Sequence, residues 1–412
     1  MVRRTTKGNL ERYGWPSGVR FSAGARAGDH IVVGAQADVD VRGRIDHPGD
    51  TWAQLAAVVD HVSATLESLG ARTDDVVKLT LYYVPTEGIL ELQILERLAR
   101  AFDSRVPPVL MQLALPRLAY PGQTIALEAV AMRGEDNTSM ARRAHNPANH
   151  WRSPFSHGVR CGEMIYVGAQ MPVDKFGVPT SPGDPVAQAH ENLEQIGAVL
   201  AGFGAVLDDV ARINTFYVGH GTAEDWARAG AVRGRAFSEP GPCAAGIPVP
   251  TLLDERLTIR QEAIAMLGTD GSRLPRRSES PPGHWDWPIK VHFKQGVRVG
   301  NKLFIGGQGA LTTSGVPIHP NDLAAQTGDV MTNIGDILRL FGATFEDLIW
   351  MKSYHKAGDE PANLHTVLSA GSQFLRGAGP AITALPFPRL GIDPMVLEID
   401  AFAVIDNPAE TG

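Results

Sequence analysis

The stretch HIVVGAQ occupies residues 30–36 and has a counterpart in KLFIGGQ at residues 302–308, while residues 168–170 carry the same Gly-Ala-Gln in the middle of the chain. Two landmark residues, a phenylalanine and an acidic residue, recur with this stretch. In each copy a phenylalanine precedes the stretch, and an acidic residue lies 107 positions after that phenylalanine: Phe21 and Glu128, Phe155 and Glu262, Phe293 and Asp400. Three copies of equal internal length predict one domain fold used three times in one chain.

Two polar segments separate the copies. They are residues 133–150 and 268–284, which are rich in Gly, Pro, Ser, Asn and charged residues and show no apolar periodicity. Such composition is typical of exposed linkers. The sequence therefore predicts domains at residues 1–132, 151–267 and 285–406, which the linkers allow to pack side by side.

Each copy has the same predicted order of elements. After the first strand, the first copy has a helix with apolar residues at helical spacing, a strand of alternating residues, a second helix and two further strands: residues 52–70, 76–84, 89–103, 109–116 and 124–132. This order predicts an α+β fold in which a mixed β-sheet carries two helices on one face.

The composition fits an ordinary globular protein, with 412 residues, 43% hydrophobic and 20% charged. A net charge of −7 argues against a nucleic-acid partner, which usually requires a basic face. The two cysteines, Cys161 and Cys243, cannot form a disulfide framework. The first residues lack the apolar core of a secretory signal, and no run of 18 apolar residues suggests a membrane span. We therefore expect a cytoplasmic protein with no membrane or nucleic-acid partner.

Several sequence motifs, taken in their order along the chain, resemble those of the RidA (YjgF) family of enamine/imine deaminases. They are FSHGVRCG (155–162), GAQ (168–170), the glycine and Asp-Asp-Val within 204–210, PAIT (380–383) and LEIDAFAV (397–404). The resemblance implies three tandem RidA-like, chorismate-mutase-like domains packed as an intrachain pseudotrimer. It also implies a small-molecule substrate in clefts between domains. No cluster of His, Cys, Asp or Glu has convincing metal spacing, and we expect no cofactor. Further homo-oligomerisation stays open.

The turn that carries the catalytic arginine of that family has changed in every copy. The family arginine stands two residues after the proline of a P-A-R-[ST] turn and clamps the substrate carboxylate. Here Leu110, Ala244 and Ile382 occupy that position, and the cleft tyrosine of the family is replaced by Phe21, Phe155 and Phe293. These six residues are the candidate lining of the clefts, and they favour a substrate with an apolar or aromatic portion.

Strand alternation directs charged residues towards the centre of the pseudotrimer. We expect three pairs within the copies: Lys78 with Glu128, Arg212 with Glu262, and Lys352 with Asp400. One interpretation is structural ion pairing, because buried charges persist only when they are paired. The other is a lysine tuned for catalysis by burial, for which Lys352 is the candidate.

Glu398 is the other candidate catalytic residue. It stands where some RidA deaminases carry a glutamate that positions the attacking water, whereas the other copies have Ala126 and Arg260 there. Glu398 is thus a candidate general base, or alternatively a solvated acid at an interface rim. Because copy three also has Lys294 in place of the serine of the other copies, we expect the working site at an interface formed by copy three, with either neighbour completing it.

Two functions remain open from the sequence. The first is an enzyme that hydrolyses or deaminates a small nitrogen-containing or cyclic metabolite, with Glu398 as the base and Lys294, Lys352 or Arg389 holding a substrate group. The second is a non-catalytic small-molecule binding or accessory protein built on the fused trimer, which the loss of the family arginine favours.

Overall fold

The computed structural model describes residues 4–7, 13–102, 104–287 and 289–405. These residues form three α+β units, each with a six-stranded mixed sheet and two α-helices on one face. The fold class predicted from the repeat is confirmed.

The three units contain corresponding elements. Unit one has β1 (Arg4–Lys7), β2 (Gly24–Ala27), β3 (His30–Gln36), α1 (Thr51–Ser68), β4 (Val76–Tyr83), α2 (Glu91–Ala101), β5 (Val109–Ala114) and β6 (Ile125–Met132). Unit two has β7 (Arg142–His145), β8 (Gly158–Cys161), β9 (Met164–Gln170), α3 (Pro185–Ala201), β10 (Val210–Val218), α4 (Ala223–Arg235), β11 (Cys243–Val249) and β12 (Ile259–Met266). Unit three has β13 (Arg276–Glu279), β14 (Gly296–Val299), β15 (Lys302–Gly309), α5 (Leu323–Leu340), β16 (Leu348–Lys356), α6 (Ala362–Ser372), β17 (Ala381–Phe387) and β18 (Leu397–Val404).

The sheets share one topology, which in unit one is β1-β2-β3-β6-β4-β5. Strands β4 and β5 are parallel, and α2 makes the crossover between them, while the other neighbours are antiparallel. The long first helix of each unit begins at an aspartate, Asp50, Asp184 or Asp322, whose carboxylate accepts one or two hydrogen bonds from backbone N–H groups of the first turn. Its apolar stripe, Leu55, Val58, Val62 and Leu66 in α1, is buried against the sheet.

Each of the two predicted linkers contains a short edge strand. Residues Arg142–His145 form an edge strand that pairs with β8, and Arg276–Glu279 form one that pairs with β14. Each strand has four residues, which is too short for an alternation pattern to stand out in a polar segment.

The units close into a ring through the edge strand that follows each crossover helix. Strand β5 packs on β9, β11 on β15, and β17 on β3. The glycine of each Gly-Ala-Gln or Gly-Gly-Gln stretch lies at this crossing. A Cβ atom on Gly34 would lie 2.2 Å from the carbonyl oxygen of Ile382, and one on Gly306 would lie 2.7 Å from that of Ala244. The landmark glycine therefore permits close contact between neighbouring units.

Candidate active site between copies two and three

Six charged side chains meet at the pseudo-threefold centre. The Lys78 Nζ atom lies 3.0 Å from an oxygen of Glu262, and the Lys352 Nζ atom lies 3.1 Å from an oxygen of Glu128. Arg212 pairs with Asp400. The predicted pairing within copies was wrong, because each cation pairs with the acid of a different copy and the three pairs run around the ring.

The contacts of Lys352 fit the structural interpretation of these charges. Its side chain is 1% exposed, and its ammonium lies 4.8 Å from the centre of the Trp350 ring. Burial raises the pKa of Glu128, but Lys352 and Lys78 outweigh it and hold the pKa below its ordinary value. Lys352 is thus committed to an ion pair at the centre and does not line the cleft that contains Glu398.

Glu398, on β18, lies in a cleft that unit two completes. The cleft encloses about 720 Å³ including its open mouth. Unit two contributes Ala244, Ala245 and Gly246 of β11 together with two residues of α4, and unit three contributes Phe293, Gly307, Gly309 and Glu398. The cleft that contains Glu398 is thus formed by copies two and three, and its use as the working site stays a prediction.

The surroundings of Glu398 favour its protonated form. Burial raises the pKa of its carboxyl to about 8, and Asp400 adds to the shift, while the backbone N–H of Gly246 and the charge of Arg212 act in the opposite direction. The side chain is only 8% exposed. A carboxyl group with a pKa near neutrality can both donate and accept a proton during a reaction.

Gly307 provides the space for this carboxyl group. A Cβ atom at position 307 would lie 1.8 Å from Oε1 of Glu398. The equivalent residues of the other copies are Ala35 and Ala169, and neither copy has a glutamate at the position of Glu398. The glycine and the glutamate therefore occur together in one copy.

Aromatic side chains form most of the remaining wall. Trp226 comes from α4, and Trp285 and Trp287 come from the segment between β13 and β14 of unit three. The ring centres of Trp285 and Trp287 are 5.1 Å apart, and Trp287 lies 6.0 Å from Phe293. A Cβ atom on Gly246 would lie 3.0 Å from Nε1 of Trp226. This wall suits a flat apolar or aromatic group.

Arg233, on α4, was missed by the sequence analysis. It lines the same cleft as Glu398 although its side chain is almost fully buried. An alignment of the three crossover helices would have identified it, because the equivalent residues of the other copies are the small, uncharged Ala99 and Gly371. A search of the proline turns for an arginine could not find it.

The six predicted lining residues come together in pairs, one pair at each interface. Phe293 and Ala244 line the cleft with Glu398. Phe155 and Leu110 line a cleft between units one and two of about 960 Å³. Phe21 and Ile382 belong to one buried cluster between units three and one. The pairing at each interface agrees with the resemblance to the trimeric family.

The two remaining predicted cations lie elsewhere. The Lys294 ammonium is 3.4 Å from Glu239 at the surface. Arg389 donates a hydrogen bond to the backbone carbonyl of His220, and its guanidinium lies 3.7 Å from Asp393. Neither residue lines the cleft that contains Glu398.

The cleft between units one and two has a different polar lining. Arg260 stands at the position of Glu398 and donates a hydrogen bond to the backbone carbonyl of Gln112, and of these two residues Gln112 lines this cleft. A carboxylate, Glu91, comes from the crossover helix α2 and accepts a hydrogen bond from Tyr83. The three interfaces are thus chemically distinct, since the third has Ala126 at this position.

Within residues 4–7, 13–102, 104–287 and 289–405, no three His, Cys, Asp or Glu side chains are grouped so that they could hold a metal ion. The helices in the same ranges are all too short or too polar to cross a membrane.

Comparison with known proteins identifies relatives of the single repeat and of the whole architecture. A sequence profile of the family described as Endoribonuclease L-PSP matches residues 146–267 and 288–405. The DfrA protein of Myxococcus xanthus is 34% identical over 117 residues, which cover 27% of this chain and 87% of that protein. A RutC family protein of Pyrococcus abyssi is 30% identical over 112 residues, which cover 27% of this chain and 85% of that protein.

The crystal structure of a chorismatase is similar over most of the chain. The similarity has a TM-score of 0.54 at 13% sequence identity and covers 80% of this chain and 93% of the chorismatase. At this level of identity the likeness concerns the fold.

Proposed function

The chain belongs to the endoribonuclease L-PSP family, also known as the RidA (YjgF) family, and from this premise we propose that it is an enzyme that hydrolyses or deaminates a small nitrogen-containing or cyclic metabolite. The reaction takes place in the cleft between copies two and three. The observation that carries the proposal is Glu398, a buried carboxyl group with a pKa of about 8 in an apolar cleft.

Glu398 is the group that transfers the proton. At neutral pH its protonated form predominates, so it donates a proton to the nitrogen or oxygen that leaves the carbon under attack. The resulting carboxylate then accepts a proton from the attacking water. One water is consumed, the bond from carbon to the leaving atom breaks, and Glu398 returns to its protonated form.

The lining of the cleft limits the substrates that it can accept. Ala244 replaces the family arginine in this cleft and Phe293 replaces the family tyrosine. Together with the tryptophans they favour a substrate with a flat apolar or aromatic portion. An ordinary aliphatic imino acid held at the proline turn is not the substrate that this lining supports.

A Glu398→Gln variant tests the proposal. Ammonia release is measured with imines generated from a panel of amino acids by an amino-acid oxidase, and with a panel of cyclic amides. We expect the turnover of any accepted substrate to fall by about 100-fold or more in Glu398→Gln, because a positioned acid or base contributes at least that much.

Glu91→Gln is the matched control, because it makes the same chemical change in the cleft between copies one and two. It should leave turnover unchanged. If Glu398→Gln retains full turnover, the proposed role is wrong. If ligands bind in the cleft and none is converted, the protein is the non-catalytic binding protein that the loss of the family arginine favours.

A further inference from the structure

Arg233 is a buried cation inside the cleft, and in the part of the chain that the structure describes no acidic side chain forms an ion pair with it. The residue is 2% exposed, and its Nε atom donates a 3.3 Å hydrogen bond to the carbonyl of Ala229 on the same helix. Among the residues that the structure describes, Arg233 forms no ion pair, and its terminal nitrogens make no hydrogen bond. Burial lowers the pKa of Arg233 to about 10, and nearby Tyr217 partly offsets this, so the side chain stays charged at neutral pH.

A buried charge without a partner is costly to the folded protein. The fold itself does not need this arginine, because the equivalent helices of copies one and three have Ala99 and Gly371 there. Structural necessity therefore does not account for Arg233. A negatively charged ligand in the cleft would supply the missing partner.

Several residues that are peculiar to one copy meet in this cleft. Trp226 replaces the leucines Leu92 and Leu364 of the equivalent helices, as Arg233 replaces the smaller residues. Glu398 and Gly307 come from the opposite wall and are likewise peculiar to their copy. Residues that occur in one copy only thus come from two units and meet in one cavity, where a bound ligand would touch both walls.

Besides Arg233 and Glu398, two further polar groups lie in or beside this cleft. The hydroxyl of Tyr217 is buried, and no partner for it is found among the described residues. Burial raises the pKa of this hydroxyl, nearby Glu398 raises it further, and Arg233 acts in the opposite direction. The indole N–H of Trp285, which also lines the cleft, has no partner in the described structure either. The cleft thus combines a cation, an unpaired N–H donor and aromatic walls with a proton-transferring acid.

We propose that Arg233 binds the negatively charged group of the ligand, so that the substrate is a small aromatic or cyclic carboxylate held between Arg233 and Glu398. That this ligand is converted rests on the proposed function, whereas the binding of an aromatic carboxylate to Arg233 does not. A guanidinium can hold both oxygens of a carboxylate in a bidentate pair. The arginine lost from the proline turn is thereby replaced from the crossover helix.

Binding of benzoate, with benzamide as the neutral control of the same shape, tests this directly. Calorimetric titration and thermal unfolding are carried out on the full chain, the Arg233→Met variant and the Arg233→Lys variant. We expect saturable benzoate binding by the wild-type protein, at least about 10-fold weaker binding by Arg233→Met, and intermediate binding by Arg233→Lys. Benzamide should bind weakly and equally to all three proteins.

Binding and turnover separate the two proposals. If Arg233→Met loses benzoate while no substrate is ever converted, the anion site stands and the enzyme proposal fails. If Glu398→Gln abolishes turnover but Arg233→Met binds benzoate like the wild type, the anion site is refuted and the enzyme proposal stands. Absence of saturable benzoate binding to the wild-type protein would also refute the anion site, and Arg233→Lys guards against a variant that merely fails to fold.

Discussion

Gly307 and Glu398 depend on each other. Gly307→Ala places a methyl group where the glutamate carboxyl lies, since the added Cβ would be 1.8 Å from Oε1. The carboxyl is the end of a flexible side chain, so we expect it to move and the backbone to stay. Turnover should fall by about 100-fold or more, because the displaced acid is lost to the reaction. Stability should change by less than about 1 kcal/mol, as Ala35 and Ala169 occupy this position in the other copies.

A double-mutant cycle isolates this coupling. In the Glu398→Ala background, Gly307→Ala recreates the Ala35 and Ala126 combination of copy one, and it should be neutral or stabilising. Urea unfolding and turnover of the four proteins are compared. Identical effects of Gly307→Ala in both backgrounds would show that the two positions do not interact.

The raised pKa of Glu398 makes stability depend on pH. The folded protein holds this proton up to a pKa of about 8, whereas the unfolded chain releases it near 4.5. The folded state therefore binds more protons between these values, and the stabilisation from this group is lost as pH rises through the window. We expect the free energy of unfolding to decline less from pH 5 to pH 8 in Glu398→Gln than in the wild type. Urea titrations at several pH values measure the two slopes, and equal slopes would contradict the raised pKa.

At the scale of elements, the repeat predicted the helices and long strands well. Strand β3 was predicted at residues 30–36 and is found at His30–Gln36, and the helix predicted at 52–70 is α1, Thr51–Ser68. Apolar periodicity identifies such elements because each buries one face over several turns or residues. The edge strands β7 and β13 carry no such pattern, since each has four mostly polar residues at the rim of a sheet.

The crossover helices explain why the candidate site was predicted only in part. Glu398 was a candidate because it aligns with the glutamate of some RidA deaminases. Phe293 and Ala244 were candidates because they align with the cleft tyrosine and the turn arginine of the family. Arg233 aligns with no motif, and its place in the cleft depends on which side of α4 faces the neighbouring unit. That orientation follows from the packing of β11 on β15, which a single sequence does not contain. Copy-specific residues on a repeated helix are the feature that points to such a site.

At the scale of the whole molecule, the ion pairs at the centre join the copies to one another. The paired residues are far apart in sequence, and Lys352 of copy three contacts Glu128 of copy one. Strand alternation predicted which side chains face the centre, but the choice of partner depends on how the three sheets turn around the axis. The correct pairs could not be deduced from within one copy.

A variant of the Lys352 and Glu128 pair tests this cross-copy contact. Glu128→Gln leaves the buried ammonium of Lys352 without its partner, and it also weakens the hydrogen bonds that Thr80 and Thr383 donate to the carboxylate. Breaking one side of a buried pair costs about 3–5 kcal/mol, whereas replacing both sides is often nearly neutral. We therefore expect Glu128→Gln to destabilise the whole chain by that amount and the double variant Lys352→Met/Glu128→Gln to recover most of it.

Urea unfolding followed by fluorescence and by circular dichroism measures both variants. The two signals should change together if the ring of contacts unites the three units in one transition. Turnover by the folded double variant separates the two interpretations of Lys352. Retained turnover supports a structural ion pair, while loss of turnover in a stable double variant would mean that this lysine takes part in the reaction although it lies outside the cleft.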